Sequence, residues 1–309
     1  MGDHILVIGA TLLDTKGKPT AGLQPGTSNP GHIRHTWGGT ARNVAENLGR
    51  LGAGVILISA VGDDETGYRL LDRTAAAGVN MEYMVQAADQ RTGAYIALLE
   101  ADGSLAVALD DVSVMKAVTG THLYKNRRLF RSAQMVMFDS SLSPEAMQTA
   151  VNLALRYSVP LCADPSSARL ADKLSPHLPY LRLVAPNEVE AAALLGRDHL
   201  GSSQDTSLEM ALALRQRGIE IALVTLPDYS LVYATSDETG YIPVRASEMV
   251  DSTGAGDALM AATMFGLVNE MSVIESIRLG AAAASLTLQT SHTVVHDLSL
   301  DMLYDHLVI

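Results

Sequence analysis

Short apolar runs rich in β-branched residues recur along this chain, and most are followed by a stretch with helical periodicity. HILVIGA (4–10) and GVILISAV (54–61) open the series; QMVMFD (134–139), VPLCAD (159–164), LRLVAP (181–186) and IEIALVTL (219–226) continue it. Their length and flanking turn residues mark buried strands. TARNVAENLGRL (40–51) sets Ala41, Val44, Ala45, Leu48 and Leu51 on one helical face, with Gly52 as a stop. DDETGYRLLDRTAAAG (63–78) reads as a helix entered through acids and closed by Gly78. SPEAMQTAVNLALRY (143–157), NEVEAAALLG (187–196) and SLEMALALRQRG (207–218) are further helices. This alternation predicts an α/β fold, with a mostly parallel sheet and helices on both faces. Ligands of such sheets bind beyond the carboxyl ends of the strands, so the loops there are the ones to inspect.

Two stretches interrupt the alternation. TGAYIALLE (92–100) and SLAVALDD (104–111) flank Ala101, Asp102 and Gly103 and read as a hairpin. Residues 15–37, rich in Gly, Pro, Thr and His, are too long for an ordinary βα connection. Segments of about 11–37 and 92–112 are therefore expected to form a small β-sheet lid over the cleft; edge decoration without function is the alternative. With no internal repeat, a single domain over 1–309 is the expected organisation.

Apolar residues make up 48% of the chain and charged ones 18%, which permits a sizeable core and excludes global disorder. The net charge of −12, with no offsetting run of Lys or Arg, argues against nucleic acid or an acidic membrane as partner. An anionic ligand must then be held by backbone amides, a few local cations or a metal ion. Cys162 is the only cysteine, which excludes an intrachain disulfide and suits a reducing compartment. MGDHILVIGATLLD lacks a basic start, and no apolar stretch is long enough to span a bilayer, so a cytoplasmic location is expected.

The run with the most chemistry is DSTGAGDA (251–258), which precedes the apolar segment LMAATMFGLV. Gly254 and Gly256 permit unusual backbone angles and close approach of a ligand. First-turn amides of a helix starting near Ala255 lack internal partners, and the helix dipole adds partial positive charge. Together they suit an anion, or the oxygens of a phosphoryl group in transit. Asp257 would repel that anion unless it has a separate task, and accepting a proton from an attacking hydroxyl is one. Favourable placement against the dipole is the plainer reading, and spacing alone leaves both open. The run is neither a P-loop, since G-x-x-x-x-G-K-[ST] is absent, nor a dinucleotide fingerprint.

Three motifs in this order resemble the signatures of the ribokinase-like, or B-type phosphofructokinase (PfkB), sugar and nucleoside kinases. They are the Gly-Gly pair with Arg-Asn in GGTARNVAENLGRLG (38–52), Asn-x-x-Glu in NEVE (187–190) after Pro186, and DSTGAGDA itself. The resemblance covers nearly the whole chain. It implies a three-layer α/β sandwich with a β-sheet lid, and ATP-dependent phosphorylation of a sugar or nucleoside hydroxyl. Mg²⁺ is implied at the phosphates, and K⁺ is a further ion that many members bind near the loop matching AAAASLTLQTS (281–291). Asp257 is the implied base, and the amides of Gly254, Ala255 and Gly256 the implied stabilisers of the moving group. Asp14, Gly38, Gly39 and Asn43 are implied at the substrate, with Asp139 and Asp111 as further substrate contacts. Asn187, Thr225, Thr253, Gly254 and Gly256 are implied at the nucleotide, and Glu190 at Mg²⁺ through water.

Without the resemblance, Asp14 reads as a turn former and Asn43 as a polar residue on an exposed helix face. Asn187 and Glu190 read as an N-cap and a dipole-favoured acid, and Arg42 as a structural or surface cation. Within the family, SNPGHIRHTWGGTARNVAENLGRLG (28–52) and ALDDVSVMKAVT (108–119) resemble members acting on pseudouridine, which implies its 5′-OH as acceptor. Ribose, another nucleoside or a keto-sugar is the alternative. Pairing of lid sheets into a homodimer also follows from the resemblance. One departure stands out: PDYS (227–230) occupies the place of a glycine-rich turn along the nucleotide. Pro227 removes a donor and Tyr229 adds bulk there. A non-catalytic sensor with a degenerate ATP site is the rival reading, and the intact GAGD argues against it.

Overall fold

Successive side chains of a strand point to opposite faces, so a strand that is apolar throughout needs cover on both. The computed structural model describes residues 3–198, 201–244 and 249–307. Its first half runs β1 (His4–Ile8), β2 (Leu12–Pro19), β3 (Gly31–Gly38), α1 (Thr40–Arg50), β4 (Val55–Ile58), β5 (Ala60–Gly62), α2 (Glu65–Ala76), β6 (Val79–Asn80), β7 (Val85–Ala87), β8 (Gly93–Leu99) and β9 (Leu105–Asp111). Then come α3 (Gly120–Lys125), α4 (Arg127–Ser132), β10 (Ala133–Asp139), α5 (Pro144–Arg156), β11 (Leu161–Asp164), α6 (Ala168–Ala171) and β12 (Leu183–Val184). The remainder is α7 (Glu188–Leu194), α8 (Gln204–Gln216), β13 (Ile221–Thr225), β14 (Leu231–Ala234), β15 (Thr239–Ile242), α9 (Ala255–Val268), α10 (Val273–Leu288) and α11 (Leu300–Asp305).

A nine-stranded sheet in the order β15-β14-β13-β12-β11-β10-β1-β4-β6 forms the middle layer. It is parallel from β6 to β13, and β14 and β15 add an antiparallel edge. Ile5, Val7, Met135, Met137 and Leu223 point to the face covered by α1, α9 and α10. Their neighbours Leu6, Ile8, Val136, Phe138 and Val224 point to the face covered by α5, α7 and α8. This gives three layers and two apolar cores.

Local departures from the sequence reading have local causes. GVILISAV breaks at Ser59: β4 stays in the large sheet, while β5 pairs with β7 in a separate ribbon. LRLVAP contributes only the two residues of β12, because Pro186 offers no ladder donor and the chain turns into α7. Helix α8 starts at Gln204, before the SLEM run, where Ser203 Oγ accepts from the Thr206 amide at 3.1 Å.

The two interrupting stretches pair with each other in a four-stranded sheet of order β3-β2-β8-β9. Strand β2 leads out of the central sheet into this smaller one, and β3 leads back into α1. The small sheet is thereby tied directly to the carboxyl end of β1 and the start of α1. Among the described residues, no helix is long and apolar enough to cross a membrane.

Helix α9 is buried on nearly all sides and lies close against α10. A Cβ on Gly280 would overlap the Thr263 hydroxyl and come within 2.7 Å of the Leu259 carbonyl oxygen. Gly280→Ala should therefore lower stability. Overpacking costs about 1–3 kcal/mol, against roughly 1 kcal/mol gained in helix propensity. The urea midpoint measures the balance; an unchanged or raised midpoint would mean that the two helices separate freely.

Candidate active site

The carboxyl ends of the central strands face a cavity of about 280 Å³, lined by the starts of α7 and α9 among other elements. Helix α9 begins after Gly254, whose φ of 89° lies in the left-handed region; a Cβ there would overlap the Thr293 carbonyl oxygen. No side chain caps this helix, and of its first amides that of Ala255 reaches Ser252 O at 3.3 Å. A Cβ on Gly256 would meet nothing within 4 Å, so the helix start opens onto free space. Uncapped amides, the dipole and an open approach together make an anion-binding corner.

Asp257 sits in that first turn and lines the cavity. Burial pushes its carboxyl up to about 6, against the opposing effects of the Asn43 hydrogen bond and the Arg42 charge. Asn43 Nδ2 donates to Asp257 Oδ2 at 2.6 Å, and its own Oδ1 accepts from Arg42 Nη2. A carboxylate held in one orientation and poised near neutrality suits general-base work. Asn43 is only 3% exposed, so the exposed-face reading does not apply.

Arg42 is 1% exposed, which excludes a surface role. Its Nε donates to Gly38 O at 3.0 Å and its Nη2 to Trp37 O at 2.6 Å and Thr293 Oγ1 at 3.1 Å, while Nη1 pairs with Glu46.

Asp14, on β2, is buried, and burial pushes its carboxyl up to about 7 although the Arg42 and Lys16 charges favour ionisation. A Cβ on Gly38 would overlap that carboxyl, so only glycine lets the β3 backbone lie flat upon it. Gly39 has a φ of 98°, and a Cβ there would overlap Ala10 O. Asp14, Gly38, Gly39, Asn43 and Asp257 are thus brought together around the junction of β2, β3 and α1. Asp111 is not part of this group, and Asp139 borders it, its charge adding to the proton affinity of Asp257. Asp139 is fully buried, and its oxygens accept from the amides of Ala10 (2.8 Å), Ala41 (3.1 Å) and Ser141 (2.9 Å). That carboxylate links the segment after β1, the end of β10 and the start of α1. Asp111 is exposed at the end of β9, where it accepts from the Ser113 amide at 3.0 Å.

Asn187 and Glu190 form a reciprocal capping box, Asn187 Oδ1 accepting from Glu190 N at 2.9 Å and Glu190 Oε2 from Asn187 N at 3.0 Å. Both line the cavity, as does Thr225. Burial pushes Glu190 up to about 6. Asp164, at the end of β11, lies well above the usual carboxylate range through burial and then the charges of Glu190 and Asp257. The sequence signal for Asp164 is its place at the carboxyl end of a parallel strand.

The charges of Glu190 and Asp257 raise Asp164, and that of Asp257 raises Glu190, a repulsion that a cation bound among them would relieve. Among the described residues, no group of three or more His, Cys, Asp or Glu is close enough to hold a metal unaided. Asp164 and Glu190 could meet the water shell of a Mg²⁺ ion, which keeps much of its water and takes phosphate oxygens as ligands. Thr253 faces elsewhere: its amide and hydroxyl donate to Asp251 Oδ1 at 3.0 and 2.8 Å, and its hydroxyl oxygen accepts from Lys16. In the PDYS turn, Tyr229 takes the left-handed backbone of a glycine, with φ 65°, and its side chain stands in the cavity wall. That conformation costs a non-glycine residue about 1–2 kcal/mol.

The whole chain resembles known proteins. A family model described as "pfkB family carbohydrate kinase" matches residues 3–298. Pseudouridine kinase of Escherichia coli (strain K12) is 31% identical over 299 residues, covering 96% of this chain and 94% of that protein. Among solved structures, a carbohydrate kinase from Agrobacterium tumefaciens has a TM-score of 0.83 at 31% identity, covering 98% of this chain and 96% of that one. Ribokinase of Arabidopsis thaliana, complexed with ribose and ATP, has a TM-score of 0.84 at 19% identity, with 99% of each chain covered; this is a likeness of fold alone.

The raised carboxyls predict a pH dependence. Asp14 and Asp257 titrate near 7 and 6 in the folded chain, against an ordinary 3.8. Each binds its proton more tightly folded than unfolded, so its contribution is complete below about pH 4 and is lost as pH rises through those values. The ligand-free protein should lose stability from this source between pH 5 and 8. Asp14→Asn should remove roughly 1–4 kcal/mol of that loss, read from melting curves at both pH values. Parallel profiles for wild type and variant would discount it.

Proposed function

The chain belongs to the pfkB family of carbohydrate kinases and is a phosphotransferase acting on a sugar or nucleoside hydroxyl; from that premise we propose that it transfers the γ-phosphoryl group of ATP to the 5′-OH of pseudouridine. The observation that carries this reading is Asp257, held by Asn43 beside the uncapped start of α9. The nucleoside lies between the small sheet and the group Asp14, Gly38, Gly39 and Asn43. The nucleotide phosphates lie toward Asn187, Thr225 and Gly256. Glu190 and Asp164 hold Mg²⁺ through its waters, and the ion supplies neutralisation of phosphate charge. Asp257 takes the hydroxyl proton as the bond from the acceptor oxygen to phosphorus forms and the bond to the ADP oxygen breaks. The amides of Gly254, Ala255 and Gly256 face the charge on the group in transit, an interaction typically worth roughly 10²–10³ in rate. The small sheet excludes water that would otherwise divert the reaction to hydrolysis.

Pseudouridine is favoured by the SNPG lead-in to the Gly-Gly turn and by the identity to the E. coli pseudouridine kinase. The sensor reading is disfavoured by the intact alignment of Asn43 and Asp257. Pairing of two copies through the small sheet belongs to the same reading. Its outer face exposes Ile33 (72%), Ile96 (51%) and Leu109 (71%). Ile96→Lys should convert a dimer into monomers in sedimentation experiments, and a monomeric wild type would end that part of the reading.

ADP release with pseudouridine, uridine, adenosine, ribose and fructose 6-phosphate side by side tests the assignment; pseudouridine should give the highest kcat/KM. Asp257→Asn should lower kcat by about 10²–10⁴ or more while nucleoside binding, measured calorimetrically, persists. Full turnover in that variant would remove Asp257 from the mechanism.

A further inference from the structure

The small sheet has two unlike faces. Strand alternation turns Asp14 and Lys16 of β2 and Arg34 of β3 toward the cleft, and Ile33, Ile96 and Leu109 away from it. Lys16 Nζ donates to Asp251 Oδ1 and Oδ2 at 2.8 and 2.9 Å and to Thr253 Oγ1. Arg34 Nη2 pairs with the same carboxylate. The side chains of Lys16 and Asp251 are only 16% and 15% exposed. Both cations thus meet Asp251, directly beside the residues that lead into the N-cap Gly254, and the Lys16 charge also favours ionisation of Asp14. Arg34 keeps 42% of its side chain exposed, whereas Lys16 is largely out of bulk water and, through Thr253, lies next to the uncapped start of α9, where a cation suits an anionic ligand.

We propose that Lys16 is a catalytic residue carried by the small sheet: with both substrates bound, its Nζ gives up part of its contact with Thr253 and Asp251 and donates to an oxygen of the phosphoryl group in transit. This rests on the kinase reading above. The group in transit spreads its charge over three oxygens, and the α9 amides approach it from the core side only. Lys16 approaches from the sheet side. A lysine suits the task, since its compact charge sits on a flexible stem with three rotatable donors. Arg34 explains how Lys16 can shift, because its guanidinium remains on Asp251 while Arg42 continues to face Asp14. Lys16 supplies charge and hydrogen bonds and keeps its protons. The hydroxyl proton still goes to Asp257, the oxygen–phosphorus bond forms at the acceptor, and the bond to the ADP oxygen breaks.

Lys16→Met keeps the stem and removes the charge; Lys16→Gln keeps a donor and serves if the first variant misfolds. Either should lower kcat by roughly 10²–10³ with nucleoside KM changed only a few-fold. A readout independent of turnover is calorimetric binding of ADP with aluminium fluoride, Mg²⁺ and nucleoside, a mimic of the group in transit. That affinity should fall about 10²-fold while binding of ADP alone stays within about twofold. Wild-type kcat in the variants, or a raised nucleoside KM with unchanged kcat and unchanged aluminium fluoride binding, would overturn the proposal and leave Lys16 as a latch for the sheet. A wild-type protein that turns over no acceptor overturns the kinase reading together with this one. Turnover by wild type with unimpaired variants overturns this one alone.

Discussion

A guanidinium taken wholly out of water must find a partner for nearly every donor, and Arg42 does so by touching each functional segment of the chain. It bonds Gly38 O and Trp37 O at the Gly-Gly turn, Asn43 beside Asp257, and Thr293 in the loop that packs on Gly254. Glu46 neutralises it from one turn further along α1. An uncompensated buried charge is costly, so the Gly-Gly turn, the orientation of Asp257 and the start of α9 are held as one unit rather than three independent loops. The network is tight because it lies where α1, α9 and the return from β3 converge.

Around that fixed cation the ligand-free cleft is crowded with acids. Asp14, Asp164, Glu190 and Asp257 all carry raised proton affinities, first through burial and, for Asp164 and Glu190, also through each other or Asp257. The fold thus stores electrostatic strain in the site that bound ligands and cations would relieve, a common arrangement where stability is exchanged for function. The small sheet adds the opposite charge from above through Lys16 and Arg34. The cleft is thus acidic below, positive at its rim and open at a helix start.

The architecture was legible because it follows from local rules. Unbroken β-branched runs require cover on both faces, helical periodicity supplies it, and the two apolar cores sort alternate residues of β1 and β10 accordingly. DSTGAGDA announced an open helix start with an acid inside it, since glycine positions and orphan amides are properties of a few consecutive residues. Asn187 with Glu190 likewise formed a cap as their spacing implies, and that cap lines the cavity.

Charge pairing across the fold was not legible. Lys16 meets Asp251 over a separation of 235 residues, and Asn43 meets Asp257 over 214. Asp139, a strand-end acid like Asp164, is consumed by backbone amides, while Asp164 faces the cavity; nothing in FDS as against ADP distinguishes them. Tyr229 adopts a glycine-like backbone that no propensity would assign to it. By itself, then, the sequence determined the layers, the strand faces and the open helix start, because each is set by neighbours along the chain. Which acids line the cavity, which cation is buried and which lysine meets Asp251 were decided by tertiary structure, because burial and Coulombic partners depend on distances that only the folded topology creates.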